Sequence, residues 1–195
     1  MSKKKSIYET KNTVKDVEKN ISKWKKYIDN TKKKIPEIHL ISKLLWFDND
    51  KYHKRALSIG PGSGVAEIEL INKDWEVTTI DIEPYSYDTM KERLPKNKHK
   101  KLLFQNVSME NMELKGMYNY IIANNSIPFS KKKHLKKIMK KIGDHTTRDS
   151  VFSFTMFGVN HSFVKKSKTC FSVTENEIKK LLNNINFKIK FTERE

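Results

Sequence analysis

Between residues 56 and 81 the chain reads Ala56-Leu57-Ser58-Ile59-Gly60-Pro61-Gly62-Ser63-Gly64, then a segment of helical spacing, then Val77-Thr78-Thr79-Ile80-Asp81. An apolar strand, a glycine-rich turn, a helix and a second strand ending in a carboxylate can be satisfied together only by an α/β arrangement. Glycines let the backbone bend sharply in such a turn and let a ligand approach its amides. A carboxylate on the order of 20 residues downstream, at the end of the next strand, suits a two-point grip on ribose hydroxyls. The unit reads as a nucleoside-cofactor site. The competing reading is a tight turn of another α/β protein, with Asp81 only capping a helix.

Spacing narrows the cofactor. The dinucleotide fingerprint G-x-G-x-x-G would need its third glycine at Val65, and no Gly-Lys-Ser/Thr follows the turn as a P-loop requires. What remains is G-x-G-x-G at Gly60, Gly62 and Gly64, with Pro61 between the first two. This resembles motif I of the class I S-adenosylmethionine (SAM) methyltransferases. A ligand without a pyrophosphate has no need of the missing glycine.

The rest of the chain is expected to alternate helices and strands. Residues 1–12 read as a disordered basic tail, and 13–195 as one domain whose segment 13–47 forms a helical lid. Val14, Val17, Ile21, Trp24 and Ile28 fall at helical spacing, ending near Asn30. Pro36 opens a second helix with Ile38, Ile41, Leu44 and Leu45 on one face. Strands are expected at 56–60, 76–81, 101–107, 118–124 and 151–157, and a last one near 187–192. Helices are expected at 65–73 (Val65, Ile68 and Ile71 inward), 85–94 and 131–142, the last capped by Ser130 and burying Leu135, Ile138, Met139 and Ile142. Thr174 and Glu177 form a capping box for a helix carrying Ile178, Leu181, Leu182 and Ile185. The pattern implies a mainly parallel sheet with helices on both faces. The resemblance implies that this is a Rossmann-like class I methyltransferase sheet, its seventh strand missing, replaced or trimmed. Ligands of such sheets sit at the carboxyl ends of the strands, where Gly60, Asp81, Ser108 and Asn124 fall.

Composition bounds the partners. The chain has 195 residues, 36% hydrophobic and 10% aromatic, enough for one domain with a core. No long apolar run suggests a membrane span or signal peptide. The single cysteine, Cys170, excludes an internal disulfide and fits a reducing cytoplasm. Six histidines lack metal-ligand spacing, so no metal is expected. The formal charge of +17 would point to nucleic acid. Yet arginine occurs only at 55, 93, 148 and 194, so 36 of 40 basic residues are lysine, as codon bias in an AT-rich genome would produce. Arginine, the residue suited to bidentate phosphate and base recognition, is scarce.

Longer motifs extend the resemblance. Trp24-Lys25-Lys26-Tyr27, Lys33-Lys34-Ile35-Pro36, the glycine turn, Asp81-Ile82-Glu83-Pro84 and Ala123-Asn124-Asn125-Ser126-Ile127-Pro128-Phe129 are similar to a family of small bacterial SAM-dependent methyltransferases related to the tellurite-resistance methyltransferases. Met156-Phe157-Gly158, Thr169-Cys170-Phe171 and Phe191-Thr192-Glu193-Arg194-Glu195 fit its spacing. The resemblance implies that Gly60, Pro61, Gly62 and Gly64 meet the methionine end of SAM and that Asp81 holds the ribose. It implies that Ile82 packs on the adenine, Ser108 and Met109 flank its edge, and Asn124 lies beside the methionine carboxylate or sulfonium. Trp24 and Tyr27 would cover the cofactor, with Trp24 equally readable as core. Asn125, Ser126 and His161 would face the acceptor, or be an ordinary strand end and an exposed loop histidine. Two acids usual in the family are replaced here by Ser58 and Ser108.

The expected function is methyl transfer from SAM to a small-molecule acceptor, in the cytoplasm, by a monomer or weak homodimer with no membrane partner. Alternatives are an RNA or DNA methyltransferase and a SAM-binding protein without activity. An in-line displacement at an activated methyl needs alignment above all, and a soft nucleophile needs no base. No general base is identifiable from the sequence.

Overall fold

The computed structural model describes residues 14–35, 54–166 and 169–189. The expected tail, the helix after Pro36 and residues 190–192 of the last expected strand lie outside the described residues. Within them the order is α1 (Val14–Thr31), β1 (Arg55–Ile59), α2 (Val65–Asn72), β2 (Glu76–Ile80), α3 (Pro84–Arg93), β3 (Leu102–Gln105), β4 (Tyr118–Ala123), α4 (Leu135–Gly143), β5 (Thr146–Phe154), α5 (Ser162–Lys166) and α6 (Glu175–Asn183).

All described strand pairs are parallel, in the order β3-β2-β1-β4-β5. Parallel strands must be covered on both faces, and the central ones show it: all six residues of β4 and four of the five in β1 are buried. Alternation along the strands divides the core. Leu57, Ile59, Ile80, Ile121 and Ala123 pack with Leu135, Ile138, Met139 and Ile142 of α4 and with Leu181 and Leu182 of α6. Ala56, Val77, Tyr120 and Ile122 point the other way, onto Leu70 and Ile71 of α2 and Met90 of α3. The chain reverses its direction of winding between β1 and β4, the switch point at which such sheets hold ligands.

Several expected elements change. The segment 96–101 is a 3₁₀ turn, so β3 is only Leu102–Gln105. A 3₁₀ turn at 132–134 delays α4 to Leu135, and the Ser130 hydroxyl, buried without a partner among the described residues, does not cap it. β5 starts at Thr146 rather than 151 because its register on β4 slips between Tyr118 and Tyr120, where the Ser150 hydroxyl donates to the Tyr118 carbonyl at 2.7 Å. Residues 187–189 are not strand. The capping box of α6 is present in full: the Glu177 amide donates to the Thr174 hydroxyl at 3.2 Å, and the Thr174 amide to the Glu177 carboxylate at 2.7 Å. On α2 the buried residues are Glu67, Leu70 and Ile71, not Val65 and Ile68.

Candidate functional site: the glycine turn and its surroundings

β1 ends where Gly60 donates its amide to the Ile80 carbonyl at 2.8 Å, tying the turn to β2. Gly60, Gly62 and Gly64 all adopt left-handed φ (68°, 58° and 73°). At two of them the glycine is also a spatial necessity. A Cβ on Gly60 would stand 2.6 Å from the Ser126 Cβ, and one on Gly64 would collide with the Met90 side chain. Gly64 is the N-cap of α2 and brings no side chain to its free amides. Arg93 donates to the Ser63 carbonyl at 2.6 Å and pins the turn from the side of α3.

Ser58 does not leave the first strand without an acid. Its hydroxyl donates to Glu67 Oε1 at 2.5 Å, and Glu67 is 2% exposed. Burial pushes the Glu67 carboxyl up to about 7, against the Ser58 hydrogen bond, which favours the ionised form. Its other oxygen, Oε2, has no partner among the described residues. The sequence reading missed this group because Glu67 falls in the first turn of α2, where an acid ordinarily faces water and favours the helix N-terminus.

Asp81 follows β2, and its Oδ1 accepts the Glu83 amide at 2.9 Å. Asn106 donates to the carbonyls of Asp81 and Ile82, both at 3.0 Å, and so fixes the bend. Burial pushes the Asp81 carboxyl up to about 6; the amides of Glu83, Ile82 and Gly62 pull it down, and the Glu83 charge pushes it up. The hydrogen bond from Gly60 to the Ile80 carbonyl brings Asp81, the next residue, beside the glycine turn. Glu83 accepts the Tyr85 amide at 3.2 Å, so it is Glu83 and not Asp81 that caps α3.

The other sequence-derived residues divide by place. Ile82 is 40% exposed at the bend beyond Asp81. Ser108 opens a 3₁₀ turn at 109–111 and accepts from Asn111 at 3.0 Å, and Met109 packs partly on the main core. Asn124 and Asn125 are exposed beyond β4, Asn125 with a φ of 50°. Ser126 is buried against Gly60, its hydroxyl without a partner among the described residues. Pro61 is half-buried. Tyr27 lies so close to Gly62 that a Cβ there would meet its ring at 3.3 Å. Trp24 is part of a ring cluster rather than plain core, 5.3 Å from Phe129 and 6.0 Å from Tyr27 between centroids. His161 is only partly exposed and stacks on Phe157 at 4.4 Å.

Two surface depressions lie between α4 and α6, lined by residues such as Lys136, Met139 and Leu181; none of the sequence-derived site residues lines them. No helix among the described residues is long and apolar enough to cross a membrane.

A parallel sheet with this order, entered by a left-handed glycine turn and answered by an acid after the second strand, defines a class I methyltransferase-type α/β fold. Solved structures agree on the fold. The phosphoethanolamine N-methyltransferase 2 of Haemonchus contortus, in complex with S-adenosyl-L-methionine, superposes with a TM-score of 0.68 at 18% identity, over 93% of this chain and 44% of that one. TehB of Haemophilus influenzae superposes with a TM-score of 0.64 at 14% identity, over 76% of this chain and 50% of that one. Residues 50–194 match the family model described as the tellurite resistance protein TehB, and the chain belongs to that family. The magnesium-protoporphyrin O-methyltransferase of Rhodobacter capsulatus is 27% identical over 99 residues, 51% of this chain and 44% of the relative. The chain spans about half the length of these relatives.

Proposed function

We propose that this chain is a SAM-dependent methyltransferase acting on a small-molecule acceptor. The reading is carried by one juxtaposition, the Asp81 carboxyl at the glycine turn on the carboxyl ends of β1 and β2. The residues present fit the cofactor. Ser126 offers a buried hydroxyl with no partner among the described residues beside Gly60, and side chains at Gly60 and Gly64 would collide with Ser126 and Met90 and displace the turn. Asp81 would hold the ribose diol, and the free amides at the start of α2 would receive the methionine carboxylate. Ile82 and Met109 would flank the adenine, with Ser108 at its edge. Asn124 would stand by the methionine end. Trp24 and Tyr27 would exclude water. The cofactor supplies a methyl group already activated by a sulfonium, so what the chain must supply is alignment and dryness.

Calorimetric titration with SAM tests the site. Binding that weakens at least tenfold in Asp81→Ala supports it; no binding, or binding unaltered by the substitution, overturns it. Transfer of labelled methyl to a metabolite extract rather than to total RNA separates the small-molecule reading from a nucleic-acid one.

A further inference from the structure

Helix α1 runs along the carboxyl edge of the sheet and touches three strand ends in the order in which the strands are paired, β4, β1, β2. Trp24 meets Phe129, beyond β4, at 5.3 Å between centroids, and Phe129 packs edge-to-face on Phe157 and Phe163, both at 5.9 Å. Tyr27 lies against Gly62, beyond β1. Beyond β2, the Tyr85 hydroxyl donates to Asp29 Oδ1 at 2.8 Å. From Trp24 to Asp29 a helix rises about 7.5 Å, and two strand spacings are about 10 Å. Side chains make up the difference.

The two ends of α1 are fastened differently. The Trp24 end rests on rings. The Asp29 end is a polar node, in which Lys32 also reaches Asp29 Oδ1 at 2.9 Å and the Lys25 ammonium lies 4.9 Å from the Tyr85 ring. Hydrogen bonds from Lys32 and then Tyr85 hold the Asp29 carboxyl below its ordinary range, and the bond to Asp29 holds the Tyr85 phenol above its own. Donor and acceptor therefore keep their protonation across neutral pH.

This node is continuous with the acid at the glycine turn. Asp81 Oδ1 accepts the Glu83 amide at 2.9 Å, Glu83 Oε1 accepts the Tyr85 amide at 3.2 Å, and Tyr85 then passes the contact to α1. The bend that aims Asp81 thus also aims Tyr85. Asp29 and Tyr85 are both half-exposed, so their bond biases the seat of α1 without locking it.

We propose that Tyr85 and Asp29 are positioning residues for the cofactor: their bond fastens α1 over the glycine turn and must part for SAM to enter and for the spent cofactor to leave. This deepens the function proposed above and rests on it. Fastened, α1 keeps Tyr27 on the turn and water away from the sulfonium. Released, it swings on the Trp24 end, where edge-to-face rings tilt without parting.

The test times SAM dissociation from the full chain, by chasing bound labelled SAM with an excess of unlabelled SAM. Tyr85→Phe, which loses one hydroxyl, and Asp29→Ala should each release it roughly five- to twentyfold faster. Asp29→Asn keeps an acceptor for Tyr85 and should stay within about threefold of the parent. The double variant Tyr85→Phe with Asp29→Ala should be no faster than the faster single one, because both break the same bond. Unchanged rates in the single variants, effects that multiply in the double one, or Asn as fast as Ala overturns the proposal. Tyr85→Phe should melt within about 3 °C of the parent; loss of its thermal transition makes the bond part of the fold and also overturns it. In a Cys170→Ser chain carrying Asp29→Cys and Tyr85→Cys, a short bis-maleimide bridge should slow SAM binding and release roughly tenfold or more. Exchange as fast as in the unbridged chain overturns it. A parent that binds SAM but exchanges it indifferently to this bond sinks this inference alone, whereas a parent that binds no SAM sinks the proposed function with it.

Discussion

The two halves of the sheet's carboxyl edge are built from different materials. At the ends of β1 and β2 the chain is held by polar contacts between buried and half-buried groups: Gly60 to Ile80, Ser58 to Glu67, Glu83 to Asp81, Arg93 to Ser63. At the ends of β4 and β5 the contacts are ring on ring; Phe163 remains exposed, Trp24 and Phe129 are half-buried and Phe157 is buried. Directional bonds over-determine the first half, so its geometry is preset and substitutions there should be costly. Edge-to-face rings are separately weak and tolerate rearrangement, which suits a surface that must admit and release an acceptor.

Substitutions can break this contrast, and the largest effect is expected at Gly64. Gly64→Val forces a β-branched residue into left-handed φ and into Met90, at a combined cost of about 4 kcal/mol. Thermal melts should show it as a chain that is largely unfolded or melts far below the parent; a drop of only a degree or two would refute the preset turn.

Glu67→Gln comes next, because it removes a buried charge while leaving an acceptor for Ser58. The Glu67 pKa in the fold, about 7, lies above its ordinary 4.5. Its stabilising share is therefore full below pH 4.5 and is lost as pH rises through 7. The stability of the variant relative to the parent should rise by on the order of 3 kcal/mol between pH 4.5 and 8. Denaturant melts across that range read it directly, and parallel curves would mean that Glu67 ionises in the fold as readily as in the unfolded chain.

Asp81 sharpens the comparison in binding rather than in folding. Asp81→Ala should weaken SAM by roughly 10- to 150-fold through lost charge-assisted hydrogen bonds. In the parent, the raised pKa of about 6 predicts affinity that holds above pH 7 and falls about tenfold per unit once the carboxyl protonates below 6. A flat titration series from pH 5 to 8 would separate Asp81 from the cofactor.

The smallest effect belongs to the aromatic half. Phe163→Leu should shift stability by no more than about 0.5 kcal/mol, as for other exposed positions. A loss as large as that at Gly64 would make the rings structural and remove the contrast.

Much of the first half could be read from the chain because its signals are local. A left-handed glycine and a strand-terminal acid are backbone requirements that a short window displays, as is the capping box of Thr174 and Glu177. The second half resisted reading. Trp24, Phe129 and the Phe157–Phe163 pair come from three segments far apart in sequence, and a lone aromatic on an apolar stripe looks the same whether it fills a core or lines a site. Ser130 shows the converse error: a good capping residue that instead ends a 3₁₀ turn at 127–129, five residues before the α-helix begins.

What the amino-acid order determined alone was the alternation of strands and helices, the position of the bend after Ile59 and the acid after Ile80, since these follow from periodicity and from φ angles that only glycine adopts readily. Packing decided the rest. It drew Glu67 inward to Ser58, raised two carboxyls by removing water, and gathered rings from three separate segments, because burial and proximity are properties of the folded chain and not of its neighbours in sequence.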